Sequence, residues 1–212
     1  MRIRYRYQSF EIGDQLVRLR IPINLDDLFE RGEGAGFSRD AFPLFGIVWA
    51  SGELLAHLVL DEDMASKRVL EVGCGLALSS LLLRRRGVDV TAMDIHPLAA
   101  ELLAGNASIN ACGEIPFVCT SWSNENPALG RFDLIIGSDI LYEPRHAEHL
   151  PAFMNRHVSA NGQVLIVDPE RGQTDSFVEQ MQQSGFESEC WQPDFVDHLN
   201  IPYRGTVYRF RR

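Results

Sequence analysis

Lysine is nearly missing from this chain. Among its 212 residues Lys67 is the only lysine, and arginine supplies the rest of the 20 basic residues set against 29 acidic ones, for a net charge of −9. Codon usage accounts for that imbalance without any functional reason. The acidic balance disfavours a general nucleic-acid binder, which needs a clustered basic surface to neutralise phosphate. Cysteine is sparse as well: Cys74, Cys112, Cys119 and Cys190 are dispersed and form no Cys-x-x-Cys pair. They read as thiols of a reducing compartment, not a disulfide frame or a zinc site, so the expected location is cytoplasmic. No apolar run approaches the roughly 18 residues of a membrane-spanning helix. The basic start MRIRYRYQSF lacks the apolar stretch that would make it a secretory signal. The Gly-x-Ser-x-Gly elbow of hydrolases, the His-Glu-x-x-His of zinc proteases and the Gly-Lys-Ser/Thr of a phosphate loop are absent, and no internal repeat is present.

What is present is an ordinary globular composition, 45% hydrophobic and 23% charged, long enough to bury a sizeable core. Residues 2–7 and 14–21 alternate apolar and polar around Gly13-Asp14, which predicts a β-hairpin whose arginines form its solvated face. Residues 31–40, RGEGAGFSRD, read as a loop or lid. Residues 1–42 are thus expected to form a hairpin-and-loop extension, and 43–212 a single globular unit. After Pro43, Trp49, Leu54, Leu55 and Leu58 fall at helical spacing. Strands are predicted at Arg68–Val72, Val88–Met93, Pro116–Thr120, Phe132–Gly137 and Gln163–Asp168, with two more near 186–191 and 206–211. Helical patterns occupy 76–86, 97–110, 146–157 and 174–184. Strands alternating with helices imply an α/β fold with a doubly wound, mostly parallel sheet of seven strands.

The strongest local signal is Glu71-Val72-Gly73-Cys74-Gly75-Leu76-Ala77, a buried strand running into a tight glycine turn before a helix. Gly73 and Gly75 let a ligand approach the backbone at the mouth of the sheet. Asp94 closes the next strand, where a carboxylate can hold the hydroxyls of a ribose. A dinucleotide fold wants a third glycine where Leu78 stands, and Glu71 would repel a pyrophosphate. A ligand bearing an ammonium and a sulfonium, S-adenosylmethionine, suits Glu71 instead; the plain alternative is that Glu71 caps a loop or pairs with an arginine. A second constellation, FDLIIGSDILYEP over 132–144, places Ser138, Asp139 and Tyr142 just beyond a strand's carboxyl end. Asp139 and Tyr142 either face one pocket together, or Ser138 or Asp139 caps a helix on which Tyr142 packs.

These stretches resemble the class I, seven-strand S-adenosylmethionine-dependent methyltransferases. Glu71–Ala77 matches the family's acid-x-Gly-x-Gly-x-Gly turn except for Ala77 at the third glycine, and Asp94-Ile95 matches its ribose-binding acid and neighbour. Asp139-x-x-Tyr142 is similar to the signature of protein methyltransferase family 16, which methylates lysines of protein partners. Trp49-Ala50-Ser51-Gly52 is similar to a stretch of that branch whose Trp lies against the cofactor. Thr120-Ser121-Trp122 is similar to its adenine-side motif, although Ser121 stands where an acid is common. Asp168-Pro169-Glu170-Arg171 is similar to the sub-branch of electron-transfer-flavoprotein lysine methyltransferases. The resemblance covers about residues 43–170. It implies a cofactor site of Trp49, Glu71, Gly73, Gly75, Asp94, Ile95, Ser121, Trp122 and Ser138, acceptor residues Asp139 and Tyr142, no metal, and a protein partner presenting a lysine.

Other signals stay outside that reading. His146 and His149 are expected on a solvated helix face, because two histidines with no third ligand make a poor metal site. Asn106 and Asn110 either terminate a helix or contact ligand. The run Arg84-Arg85-Arg86 before Gly87 suits a helix carboxyl end. A small-molecule N-methyltransferase on the same fold, a nicotinamide-dependent oxidoreductase and a non-catalytic binding module remain the alternatives.

Overall fold

The computed structural model describes residues 3–34, 43–194, 199, 200 and 202–212. The part of the glycine-rich 31–40 stretch beyond residue 34 therefore lies outside the described residues.

The chain opens with an antiparallel hairpin of β1 (Tyr5–Ile12) and β2 (Gln15–Pro22). Ile12 pairs with Gln15 across a two-residue turn, and Gly13 stands at φ 59°, the left-handed value the first position of such a turn demands. Helix α1 (Leu25–Gly34) follows, then α2 (Ala50–Asp61). The main body alternates β3 (Arg68–Val72), α3 (Leu78–Arg85), β4 (Asp89–Asp94), α4 (Leu98–Ile109), β5 (Phe117–Cys119), β6 (Phe132–Ser138), α5 (Pro144–His157), β7 (Val158–Asp168), α6 (Thr174–Gln183), β8 (Glu187–Trp191) and β9 (Thr206–Arg211).

Seven strands form one sheet in the order β5-β4-β3-β6-β7-β9-β8. All pairings are parallel except those of β9, which inserts antiparallel between β7 and β8. Side chains alternate across the sheet. Val69, Val90, Leu134, Ile136 and Val167 pack with α2, α3, α4 and the hairpin. Leu70, Val72, Ile135, Ile166 and Phe210 pack with α5 and α6. The result is a three-layer α/β fold in which the chain reverses direction across the sheet at β3. The carboxyl ends of β3, β4 and β6 meet there, at the switch point where open sheets of this kind accept ligands.

Three expectations change. Residues 31–34, read as the start of a loop or lid, instead form the last turn of α1. Trp49 lies ahead of α2 in extended conformation, not within the helix, so its ring is not bound to the helical face of Leu54 and Leu55. β7 begins at Val158, five residues before the predicted start. Its polar opening Ser159-Ala160-Asn161-Gly162 shows no apolar alternation, and a register shift against β6 between Phe132 and Leu134 absorbs the extra length.

The hairpin is fastened to α4 by side chains. Asn110 accepts the Arg18 amide at 2.9 Å and donates to the Arg18 carbonyl at 2.6 Å, and Asn106 accepts the Arg20 amide at 2.8 Å. The two asparagines act as a substitute strand along the edge of β2, which satisfies backbone groups that would otherwise be left at an open edge. Asn110 does end α4 as its C-cap residue, in line with the helix-ending expectation, but the clasp on the hairpin was not foreseen. The arginine run also reaches outward: Arg86 donates to the carbonyls of Val59 and Leu60 at the end of α2, and Arg85 to that of Leu16.

Candidate active site

At the carboxyl ends of β3, β4 and β6 lies an open cleft of ≈ 670 Å³, within the size range of small-ligand sites. The cleft brings together every residue expected to form the site: Trp49, Glu71, Gly73, Gly75, Asp94, Ile95, Ser121, Trp122, Ser138, Asp139 and Tyr142. They come from widely separated stretches of chain and converge because the sheet ends do.

Gly73 and Gly75 leave no room for a side chain without strain. Gly73 and Gly75 have φ of 61° and 52°. A Cβ on Gly73 would stand 2.8 Å from Ile140, and one on Gly75 3.2 Å from the Phe45 backbone. Ala77, in the place of the family's third glycine, also has φ 60°. That position is therefore demanding for its backbone conformation, and the alanine, itself buried, bears left-handed strain there.

Both acids already hold the backbone around them. Glu71 is buried and accepts the Ser80 amide at 2.9 Å and the Ser80 hydroxyl at 2.5 Å, in the first turn of α3. Burial pushes its carboxyl up to about 7, with the negative charge of Asp94 adding to the rise against the pull of Ser80. Asp94 accepts the amides of Gly75 at 3.0 Å and His96 at 3.1 Å, tying the glycine turn to the end of β4, and burial raises its carboxyl as well. Ile95 is exposed at the rim, and Phe45 stacks on His96 with ring centroids 4.4 Å apart. Ser121 spends its hydroxyl on Ser123, at 2.9 Å.

The other half of the cleft follows β6. The Asp139 amide donates to the Val167 carbonyl at 3.0 Å, and Asp139 itself sits at φ 51°. Asp tolerates that region better than most residues. Its carboxylate is not free: the Arg171 Nε and Nη2 each donate to one oxygen at 2.9 Å. Tyr142 projects into the cleft with its phenol pushed up to about 12 by burial first and by the charge of Asp94 next, so it stays neutral.

His146 departs from expectation. Instead of lying on a solvated face, it is buried in the cleft wall. Its ring meets Tyr142 edge-on at 4.5 Å and Trp122 edge-on at 5.0 Å. Burial lowers its imidazole below the ordinary value, so it is neutral near pH 7. No helical spacing links it to Tyr142, which lies ahead of α5, and the i, i+3 spacing to His149 pointed to a different partner. Arg171 was noted only as part of a motif, and no local pattern links it to Asp139. No group of three or more His, Cys, Asp or Glu side chains among the described residues is arranged to hold a metal ion.

The sheet order and the cleft define the class: a seven-strand methyltransferase fold. Among solved structures of this fold, the glycopeptide N-methyltransferase MtfA complexed with S-adenosyl-L-homocysteine matches with TM-score 0.60 and 12% identity, over 77% of this chain and 90% of that one. Within the class, the lysine methyltransferase family matches residues 44–184, and the chain belongs to that family. An electron transfer flavoprotein beta subunit lysine methyltransferase of Danio rerio is 33% identical over 135 residues, 62% of this chain and 52% of that protein. A histone-arginine methyltransferase of Xenopus laevis is 31% identical over 110 residues, 49% of this chain and 47% of that one. The chain spans about half the length of these curated relatives.

Proposed function

We propose that this chain methylates the side-chain amine of a lysine on a protein partner, with S-adenosylmethionine as methyl donor. The observation that carries the reading is the convergence of Glu71 and Asp94 with Asp139 and Tyr142 in one cleft. The residues fit the cofactor. A buried carboxyl poised near neutrality at Glu71 suits an ammonium, the Asp94 carboxylate suits ribose hydroxyls, and the bare Gly73–Gly75 backbone leaves room for close approach. Trp49, Ile95, Ser121, Trp122 and Ser138 line the remaining wall. When bound, the cofactor supplies an activated methyl group on a sulfonium.

The chain's own work is positioning. The incoming lysine has an unperturbed pKa of about 10.4 and reacts only as the neutral amine. Its proton would leave to water, which frees the nitrogen lone pair for the methyl group that the bound cofactor would supply. An apolar wall of Tyr142, Trp122 and neutral His146 favours the neutral amine by desolvation. Asp139 accepts a hydrogen bond from the acceptor nitrogen and aligns it, and no strong base is required. A second reading, an arginine acceptor, draws on the way the Asp139 carboxylate already grips a guanidinium. The four cysteines are free thiols, which suits a reducing compartment such as the cytoplasm. Among the described residues, no helix is long and apolar enough to cross a membrane.

Asp139→Asn keeps a residue that tolerates left-handed backbone and removes the charge. Calorimetric titration with S-adenosylhomocysteine is expected to show retained binding, while tritium-methyl transfer to extract proteins falls at least about a hundredfold, the scale of a lost positioning contact. Undiminished transfer by this variant would refute the assignment of Asp139.

A further inference from the structure

The loop after β7 holds a charged side chain over the acceptor end of the cleft for which the reading above has no role. Asp168, the last residue of β7, accepts the Glu170 amide and the Thr174 hydroxyl, each at 2.7 Å. The Glu170 carboxylate accepts the hydroxyls of Thr206 at 2.5 Å and Tyr208 at 3.3 Å, both on β9. Glu170 has φ 60° and Gly172 φ 95°, so the chain reverses tightly here. Five side chains and two left-handed residues thus build a loop that carries Arg171 from the end of β7 to the end of β6. There the guanidinium forks the Asp139 carboxylate and lies 5.5 Å from the Trp49 ring centroid.

We propose that Arg171 is a positioning residue of the acceptor site: its guanidinium fixes the Asp139 carboxylate in one orientation and cancels its charge, so the acceptor nitrogen meets a hydrogen-bond acceptor instead of a bare anion. The inference rests on the lysine reading above. It resolves a conflict within that reading. A carboxylate is needed to orient the amine, yet a bare carboxylate stabilises the ammonium and holds the proton that must leave. A forked Asp–Arg pair separates the two effects. The fork uses one lone pair on each oxygen and leaves others for the acceptor's N–H. The geometry is specific to arginine, whose planar fork matches the carboxylate as a lysine ammonium does not. The other ionisable groups around the pair are Asp168 and Glu170 on the loop side, Tyr142 after β6 and Tyr203 ahead of β9, while Glu143 and Arg145 act on Tyr142. Burial raises both phenols, so neither tyrosine adds a charge near pH 7. Arg171 is the cation directly bonded to Asp139.

The test is the pH profile of methyl transfer by the full chain. Initial rates from tritium-methyl S-adenosylmethionine to the proteins of a cell extract, diluted until the rate is proportional to extract, are measured from about pH 6 to about pH 9 for wild type, Arg171→Gln and Arg171→Lys. In Arg171→Gln the acidic limb is expected to move up by about one pH unit, so that its loss of rate relative to wild type is about tenfold greater at the acidic end than at the alkaline end. Arg171→Lys, which restores the charge without the fork, is expected to return the limb most of the way. A loss of equal size at every pH, or a gain in rate from opening the site, would overturn the proposal. So would a limb that stays displaced in Arg171→Lys. Hydrolysis of the protein labelled by wild type separates the two levels: absence of methyllysine there refutes the lysine reading itself, whatever the variants do.

Discussion

Glu71 carries the least comfortable charge in the cleft. Its carboxyl is raised by burial to about 7, so the charged form is disfavoured in the free protein. A raised acid contributes stability that is fully present below its unfolded value near 4.5 and is lost as the pH climbs through about 7. An ammonium placed beside it reverses the balance and takes the charged form. Affinity for S-adenosylhomocysteine is therefore expected to rise between about pH 6 and about pH 8, with release of up to one proton per ligand near neutrality. Calorimetry in two buffers of different ionisation enthalpy measures that release, and Glu71→Gln is expected to abolish it. A pH-independent affinity would mean that Glu71 serves α3 alone. At Ala77 the strain is conformational: Ala77→Gly is expected to hold or raise the melting temperature. Ala77→Val, β-branched at φ 60° and fully packed, should cost about 1–3 kcal/mol in a denaturant titration.

Elements differ in how much of them the sequence could show. The hairpin was readable because alternation and the Gly13-Asp14 turn are local. Its attachment was not, because Asn106 and Asn110 lie on α4 and only the folded chain brings them to β2. β9 was expected as a strand, but no local pattern could show that it slips antiparallel between β7 and β8; that depends on which edge is left unpaired. The same holds for the site. Glu71, Gly73, Gly75, Asp94 and Asp139 were readable because each ends a strand or sits in its turn, and strand ends gather at the switch point. Arg171 and His146 were not, since one reaches across from a neighbouring strand's loop and the other was judged by its nearest histidine. The asparagine clasp gives an element-scale prediction. Asn106→Ala leaves the Arg20 amide without its acceptor and is expected to cost about 1–3 kcal/mol. Hydrogen exchange at Arg18 and Arg20 should accelerate well before that of β3 or β6. Uniform acceleration across the sheet would show instead that the hairpin and sheet unfold together.

At the scale of the whole molecule, the net charge of −9 gains a use once the acceptor is a cationic side chain. An acidic surface steers a basic partner and should raise its association rate. Transfer to protein acceptors is therefore expected to fall as salt is raised from about 0.05 to about 0.5 M, while S-adenosylhomocysteine affinity changes little, because buried contacts are screened far less than exposed ones. Salt-independent transfer would remove any role for the global charge. The scarcity of lysine needs no such role: Lys67, at the entry to β3, lies at the amino ends of the strands, opposite the cleft.

The central claim, that the Asp139–Tyr142 end of the cleft delivers methyl groups to lysine, is tested most directly by the chemical identity of the product. Extract protein labelled from tritium-methyl S-adenosylmethionine is hydrolysed and its amino acids separated, with wild type and Asp139→Asn compared. The account predicts label in methyllysine with wild type and its loss with the variant. Label in methylarginine, or equal methyllysine from the two proteins, would contradict it.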